Sequence, residues 1–300
     1  MKLHCIPILS ALFTSLVCFS NPATKISDNS PSSGIVIRWN DCEQTIDGFG
    51  IAQAGWAKEL FAFKNRKQVM DKMFGNDGLR LNILRGEIFP HYWENKEDKD
   101  FNLNDDINIE LCDSDFNNKS DDLLRRGQLW LTLEAKNKYH INKLVFSTWS
   151  APAWMKSNGK VSNGKLKPEC YQDFANYLAA FYKAYKSKGI TPYAISPSNE
   201  PGYAAPWNSS LWTADEMGKF ITSNLGPTFQ KENIPAKIIF GENPLWSVVM
   251  PQLKMVSSKD FTDTILQDYP EIKKFNLIAA GHGYSLSPDI MPIKVDKEYL

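Results

Sequence analysis

The chain is poor in the side chains that metals and thiol chemistry use. Four histidines and five cysteines occur in 300 residues. No His or Cys pair stands at metal-ligand spacing, so neither a metal nor another cofactor is expected. No glycine-rich phosphate loop and no nucleophile elbow is found. The stretch "GHGYSLS" comes nearest to an elbow, but Ser287 occupies its second glycine position, which disfavours a serine hydrolase resting on Ser285. Nor is there an excess of charge of either sign. Lys plus Arg and Asp plus Glu number 34 each, with a pI near 6.9, so no overall field exists to hold nucleic acid or an anionic membrane. The longest apolar run, Ile6 to Phe19, is too short and too interrupted for a membrane span. An uncharged partner is the expectation.

What is present is aromatic. Nine tryptophans contribute to a 12% aromatic content, and Trp93, Trp154, Trp207 and Trp212 fall in loop-like contexts. A flat indole suits the apolar face of a sugar ring, although core packing is the commoner fate of a tryptophan. The N-terminus has one Lys, an apolar stretch and then small polar residues. It predicts a secretory signal peptide over 1–20, followed by a flexible Ser/Asn/Pro leader over 21–33. Lipid attachment at Cys18 is disfavoured by the residues before it. Past the signal, Cys42, Cys112 and Cys170 are an odd number at wide spacing, which leaves room for one bridge without saying which.

After a β-rich "GIVIRW", short apolar runs bounded by Gly or Pro alternate with helical patterns. "IDGFGIA", "LRLNILRG" (Leu79 to Gly86), "KLVFSTWSAP" (Lys143 to Pro152), "PYAISPSNEP" (Pro192 to Pro201), "AKIIFGENP" (Ala236 to Pro244) and "NLIAAGHGY" (Asn276 to Tyr284) read as buried strands. Tyr171, Phe174, Ala175, Leu178, Phe181, Tyr182 and Tyr185 recur at helical steps, with Gly189 in the capping position. "TADE" at Thr213 is a capping box, and its helix is expected to stop at Gly226-Pro227. Strand–loop–helix repetition predicts a parallel α/β sheet, doubly wound or closed into a barrel. Long loops after the strands, rich in Trp, Asn, Glu and Pro, and the lack of a dinucleotide fingerprint favour a (β/α)₈ TIM barrel. Six strands are counted by Tyr284 where a barrel needs eight, so the expectation is a barrel truncated after about six strands, occupying 46–300.

Carboxylates and aromatics remain as the chemical groups, and glycoside hydrolysis is the reaction that two carboxylates can run alone. Glu200 ends the fourth strand. At that rim a partly desolvated carboxylic acid can hold a proton near neutral pH, Asn199 can bond a neighbouring sugar hydroxyl, and Pro201 fixes the turn. Glu242 and Glu87 end strands five and two and could reach the same cleft. Asp121 and Asp122 read as a helix start.

In "QTIDGFGIAQAGWAKEL", "LRLNILRGEIFP", "FSTWSAPAWMKSNG", "SPSNEP" and "GHGY", in this order, the chain resembles glycoside hydrolase family 30, most of all its endo-β-1,6-galactanase-like branch. The resemblance runs from about Gly34 to the end. It implies a TIM barrel joined to a β-sandwich side domain whose N-terminal strand would be 34–45, together with secretion, retaining chemistry and no cofactor. It implies Glu200 as general acid/base and Asn199 as the contact to the sugar 2-hydroxyl. Arg85 would orient the carboxylates, and Trp149 and Trp154 would line the sugar site. His282 and Tyr284 fall near the place of the nucleophile. By their strand-end positions Glu242 and Glu87 are candidates to bind substrate, and Trp207 and Trp212 are looser candidates as platforms for distant sugars. Arg85 as a plain structural ion pair and His282 as a satisfied structural histidine stay open. The family's nucleophile lies at the end of a seventh strand, expected beyond residue 300; Glu298 is a poor substitute, because a further parallel strand needs a loop and a helix first. The reading is a secreted retaining endo-glycosidase acting on β-1,6-galactan, with β-1,6-glucan or xylan as other substrates, and a non-catalytic carbohydrate-binding barrel or inactive fragment as the alternative.

Overall fold

Each apolar run delivers one strand, and the strands are β1 (Gly50–Ala52), β2 (Ile83–Ile88), β3 (Lys143–Thr148), β4 (Ala194–Ser196), β5 (Lys237–Asn243) and β6 (Leu277–Gly281). All pair in parallel with their sequence neighbours, in the order β1-β2-β3-β4-β5-β6. A doubly wound sheet reverses strand order at a switch point; this one never does, which is the wall of a TIM-type barrel. In this computed structural model the described residues are 39–41, 45–53, 56–93, 95–97, 127–246 and 256–284. The chain divides into the units Met1–Ile46 and Asp47–Leu300, and the six strands belong to the second. The expected signal peptide, leader and "GIVIRW" strand lie outside the described residues, as do Cys42, Cys112, Asp121, Asp122 and Glu298.

The helices that follow the strands are α1 (Ala57–Ala62), α2 (Arg66–Phe74), α3 (Gln128–Tyr139), α4 (Tyr171–Ser187), α5 (Ala214–Phe220), α6 (Gly226–Lys231) and α7 (Ser258–Asp268). β3 shows how the layers separate. Phe146 points outward into Phe181 and Tyr185 of α4, with ring centroids 5.1 and 4.9 Å apart, while Ser147, one residue on, points inward. That period-two alternation packs the helix layer and leaves the barrel interior free to be polar at its rim. Gln128 at the start of α3 clamps β2 from outside. Its carboxamide accepts from the Glu87 amide at 2.7 Å and donates to the Glu87 carbonyl at 2.8 Å.

Three expectations are corrected. β2 begins at Ile83, because Leu79 and Arg80 belong to the turn leaving α2: Leu79 bonds back to the Lys72 carbonyl and is 73% exposed, and Arg80 has φ 53°. Thr213 does form the capping box, but the helix does not stop at Gly226-Pro227. A π-helical stretch, Ile221–Leu225, carries it into α6. Its wider turn relaxes the i−4 ladder just where Pro227 has no N–H to give. Trp212 is 5% exposed and packs on Tyr171, Phe174 and Phe220, so it is core rather than a sugar platform.

Candidate active site

The C-terminal ends of β2 to β6 converge on one polar cluster. β4 hands over to Asn199, whose amide donates to the Thr148 carbonyl at 2.7 Å, and then to Glu200, whose amide donates to the Glu242 carbonyl at 3.0 Å. Gly202, two residues on, donates to Asn243 Oδ1 at 2.8 Å. The turn bearing Glu200 is therefore hung on both neighbouring strands. Glu200 and Glu242 have φ of 51° and 45°, a left-handed conformation that costs a non-glycine residue about 1–3 kcal/mol and persists only where surroundings enforce it. At Glu242 the enforcement is a register shift in β5 between Gly241 and Asn243, which re-aims the side chain as bulges do.

Glu242, 3% exposed, is bound from four sides. Arg85 donates through Nε at 3.2 Å and Nη2 at 2.5 Å. Ser147 donates at 2.6 Å and Ser196 donates to the same oxygen. His282 Nε2 lies 3.5 Å away. Burial alone would raise this carboxyl; the Arg85 charge and the other donors outweigh it and lower it to about 2. Arg85 also donates to Asn199 Oδ1 at 2.7 Å and lies with its guanidinium 4.5 Å from the centre of the Trp149 ring. His282 Nδ1 stands 2.9 Å from Glu200 Oε1. Burial opposes a charge on this imidazole, yet bonds to Glu200 and Glu242 raise it to about 9, so both ring nitrogens carry protons at neutral pH and both donate.

Arg85, Asn199, Glu200, Glu242, His282 and Trp149 are thus brought together. Tyr284 is 61% exposed, with its ring edge-on to His282 at 5.6 Å. Trp207, 55% exposed, lines a cleft of about 490 Å³ with Glu87, Trp149, Val161, Ser162, Pro206 and Asn208. Trp154 is not brought in: its indole N–H donates to the Trp93 carbonyl at 3.1 Å and its ring packs on the core. Glu242, expected as a substrate contact, is buried with its oxygens bonded to Arg85, Ser147 and Ser196, and the cleft lined by Trp207 is not lined by it. Ser147 and Ser196 were not singled out in the sequence. A serine in place of a Val or Ile at or next to the end of a buried strand marks each of them, but without Glu242 beside it that mark has no meaning.

A barrel wall with carboxylates, an arginine, a histidine and tryptophans gathered at the C-terminal ends of its strands defines the class of TIM-barrel enzymes with a rim site. Residues 46–270 match the glycosyl hydrolase family 30 TIM-barrel domain, and the chain belongs to that family of O-glycosyl hydrolases. It is 30% identical over 251 residues to putative glucosylceramidase 3 of Caenorhabditis elegans, covering 80% of this chain and 45% of that protein. It is 28% identical over 237 residues to an endo-1,6-beta-D-glucanase of Neurospora crassa, covering 73% of this chain and 45% of that protein. The chain therefore spans less than half the length of either relative. A solved endo-beta1,6-glucanase superposes with a TM-score of 0.62 at 23% identity, over 81% of this chain and 53% of that one, which is a likeness of fold. Among the described residues no helix is long and apolar enough to cross a membrane, and no cluster of His, Cys, Asp and Glu could hold a metal ion.

Proposed function

We propose that the chain carries the acid/base half of a secreted, retaining endo-glycosidase site for β-1,6-linked hexans. The observation that carries this reading is the Glu200–His282 contact at 2.9 Å, at the end of β4 and above a buried anion. In the free site the proton between them belongs to His282, which donates to Glu200. When sugar enters and water leaves, the charged pair loses its hydration. The proton then rests on Glu200 and passes to the glycosidic oxygen as the anomeric C–O bond breaks. A second carboxylate, outside the described residues, takes up the anomeric carbon. Glu200 then removes a proton from the water that releases the sugar, with the two carboxyls about 5–5.5 Å apart. Glu242 is unsuited to attack because its lone pairs are occupied; it holds Arg85, and through Arg85 it holds Asn199. The branch that the sequence resembles supports galactan, and the Neurospora relative's name supports glucan.

The test compares Glu200→Gln with the unaltered whole protein on β-1,6-galactan, β-1,6-glucan and an aryl glycoside whose leaving group needs no proton. Glycan turnover is expected to fall about 10²–10⁴-fold, with departure of the aryl group far less affected. Equal loss on both substrate types would overturn the acid role. A second reading, carbohydrate binding without turnover, needs only the cleft walled by Trp149 and Trp207. Glycan binding with no hydrolysis by the whole protein would establish it.

A further inference from the structure

Lys156 has 0% exposure and no carboxylate partner among the described residues. Its ammonium donates to Ser150 Oγ at 3.0 Å and to the Ser209 carbonyl at 2.7 Å. Burial lowers it to about 8. An ammonium held away from water by two neutral acceptors is an expensive way to fill space, and a methionine would fill it without the desolvation cost. Its position supplies a reason. The loop after β3 folds back on itself at Lys156 and Leu166, and its tip docks on the loop after β4 through paired residues Ser162–Asn208 and Lys165–Leu211. The Ser209 amide donates to the Val161 carbonyl at 3.0 Å, the Leu211 amide to the Gly164 carbonyl at 2.9 Å, and the Asn163 amide to Ser209 Oγ at 2.9 Å. Lys156 closes this assembly from beneath, and the assembly presents Val161, Ser162, Trp207 and Asn208 to the cleft.

We infer that Lys156 is a positioning residue that joins the two loops into one rigid wall, against which sugar units beyond the one at Glu200 bind. The inference rests on the glycosidase reading for its ligand, though not for its geometry. The two loops meet through isolated bridge pairs rather than a continuous ladder, and the Lys165–Glu216 ion pair at 2.8 Å holds the far end, so the buried Lys156 ammonium is the side-chain tie at the Ser209 end of the tip. The ammonium reaches the Ser209 carbonyl, which stands between the two amide bonds that dock the tip. Trp207 is two residues away along the same loop.

Two measurements test this on the full chain with Lys156→Met, a near-isosteric loss of both donors. Without ligand, hydrogen exchange read by mass spectrometry is expected to quicken about tenfold at the amides of Ser209 and Leu211, with α4 unchanged. Should exchange quicken throughout, the variant has lost its fold, and Ser150→Ala, which removes one acceptor, takes its place with a smaller effect at the same amides. Unchanged exchange there in a folded variant overturns the tie. With ligand, a β-1,6-linked glucotetraose is expected to bind about tenfold more weakly to Lys156→Met and to Trp207→Ala, with no further loss in the double variant, while the disaccharide is less affected. Full additivity would overturn the shared wall. If the parent chain binds neither this sugar nor the corresponding β-1,6-linked galactotetraose, the glycosidase reading fails and the sugar-binding half of this inference falls with it. The exchange result still decides whether Lys156 ties the loops.

Discussion

His282 and Arg85 are the residues whose charges hold the site together, and each makes a separate prediction. The imidazole rises on folding from 6.5 to about 9, so its contribution to stability is complete below about pH 6.5 and is lost as the pH climbs through 9. Lys156 works in the opposite sense. Burial brings it from 10.5 down to about 8, so the unfolded chain binds that proton more tightly and stability from this group increases across that interval. The difference in Tm between the parent and His282→Gln isolates the histidine, and it is expected to shrink between pH 6.5 and 9; a difference constant with pH would contradict the pairing with Glu200 and Glu242. Glu242 makes no demand in this range, since its contribution goes only as the pH falls from 4.5 through about 2. Arg85→Met leaves Glu242 buried without its main countercharge and is expected to cost about 3 kcal/mol or more in denaturant unfolding. A loss below about 0.5 kcal/mol would show that the serines and His282 suffice.

At the scale of elements, the two best-signalled helices differ in what they contribute. α5 opens on a reciprocal cap, with Thr213 accepting from the Glu216 amide at 3.2 Å and Glu216 accepting from the Thr213 amide at 2.8 Å. Thr213→Ala is expected to cost about 1 kcal/mol. α4 is held by packing, with Phe181 fully buried against Phe146 and Tyr185, so Phe181→Ala is expected to cost about 3–5 kcal/mol. Equal losses in urea titration would mean that the cap matters as much as the core to the barrel's helical layer. Both features were legible in the sequence because each is local: a four-residue motif in one case and a three-and-four periodicity in the other. The continuation through Gly226-Pro227 was not legible, since a π-helical turn leaves no pattern in side-chain type. The site divides along the same line. Asn199 and Glu200 could be read because they follow the apolar run of β4 into a turn that Pro201 marks, although the strand itself ends at Ser196. Ser147 and Ser196 could not, because their meaning depends on Glu242 arriving from a strand that lies far along the chain and on a register shift inside it. Lys156 lay within the quoted "WSAPAWMKSNG" yet passed unremarked, its burial being a product of two loops meeting.

For the whole molecule, balanced charge makes the remaining prediction. With 34 basic and 34 acidic residues and a neutral glycan as ligand, affinity is expected to change by less than about twofold between 50 and 500 mM salt, read by calorimetry. A steep decline with salt would instead indicate a polyanionic partner. The six strands in sequence order were readable from punctuation by Gly and Pro, while the curvature that brings β2 and β5 to one carboxylate is a property of the assembled wall. That wall separates what must stay constant from what can change. The amide of Glu200 hangs on the carbonyl of Glu242, so inserting or deleting residues in β5 would misdirect Glu200, the proposed acid. Among the described residues, the tip at 158–164 bonds within its own loop and to its companion loop, and it lines the cleft. On the reading proposed above, diversification within such a lineage has an address: sugar preference can be rewritten in that tip while the strand ends that hold Glu200 stay as they are.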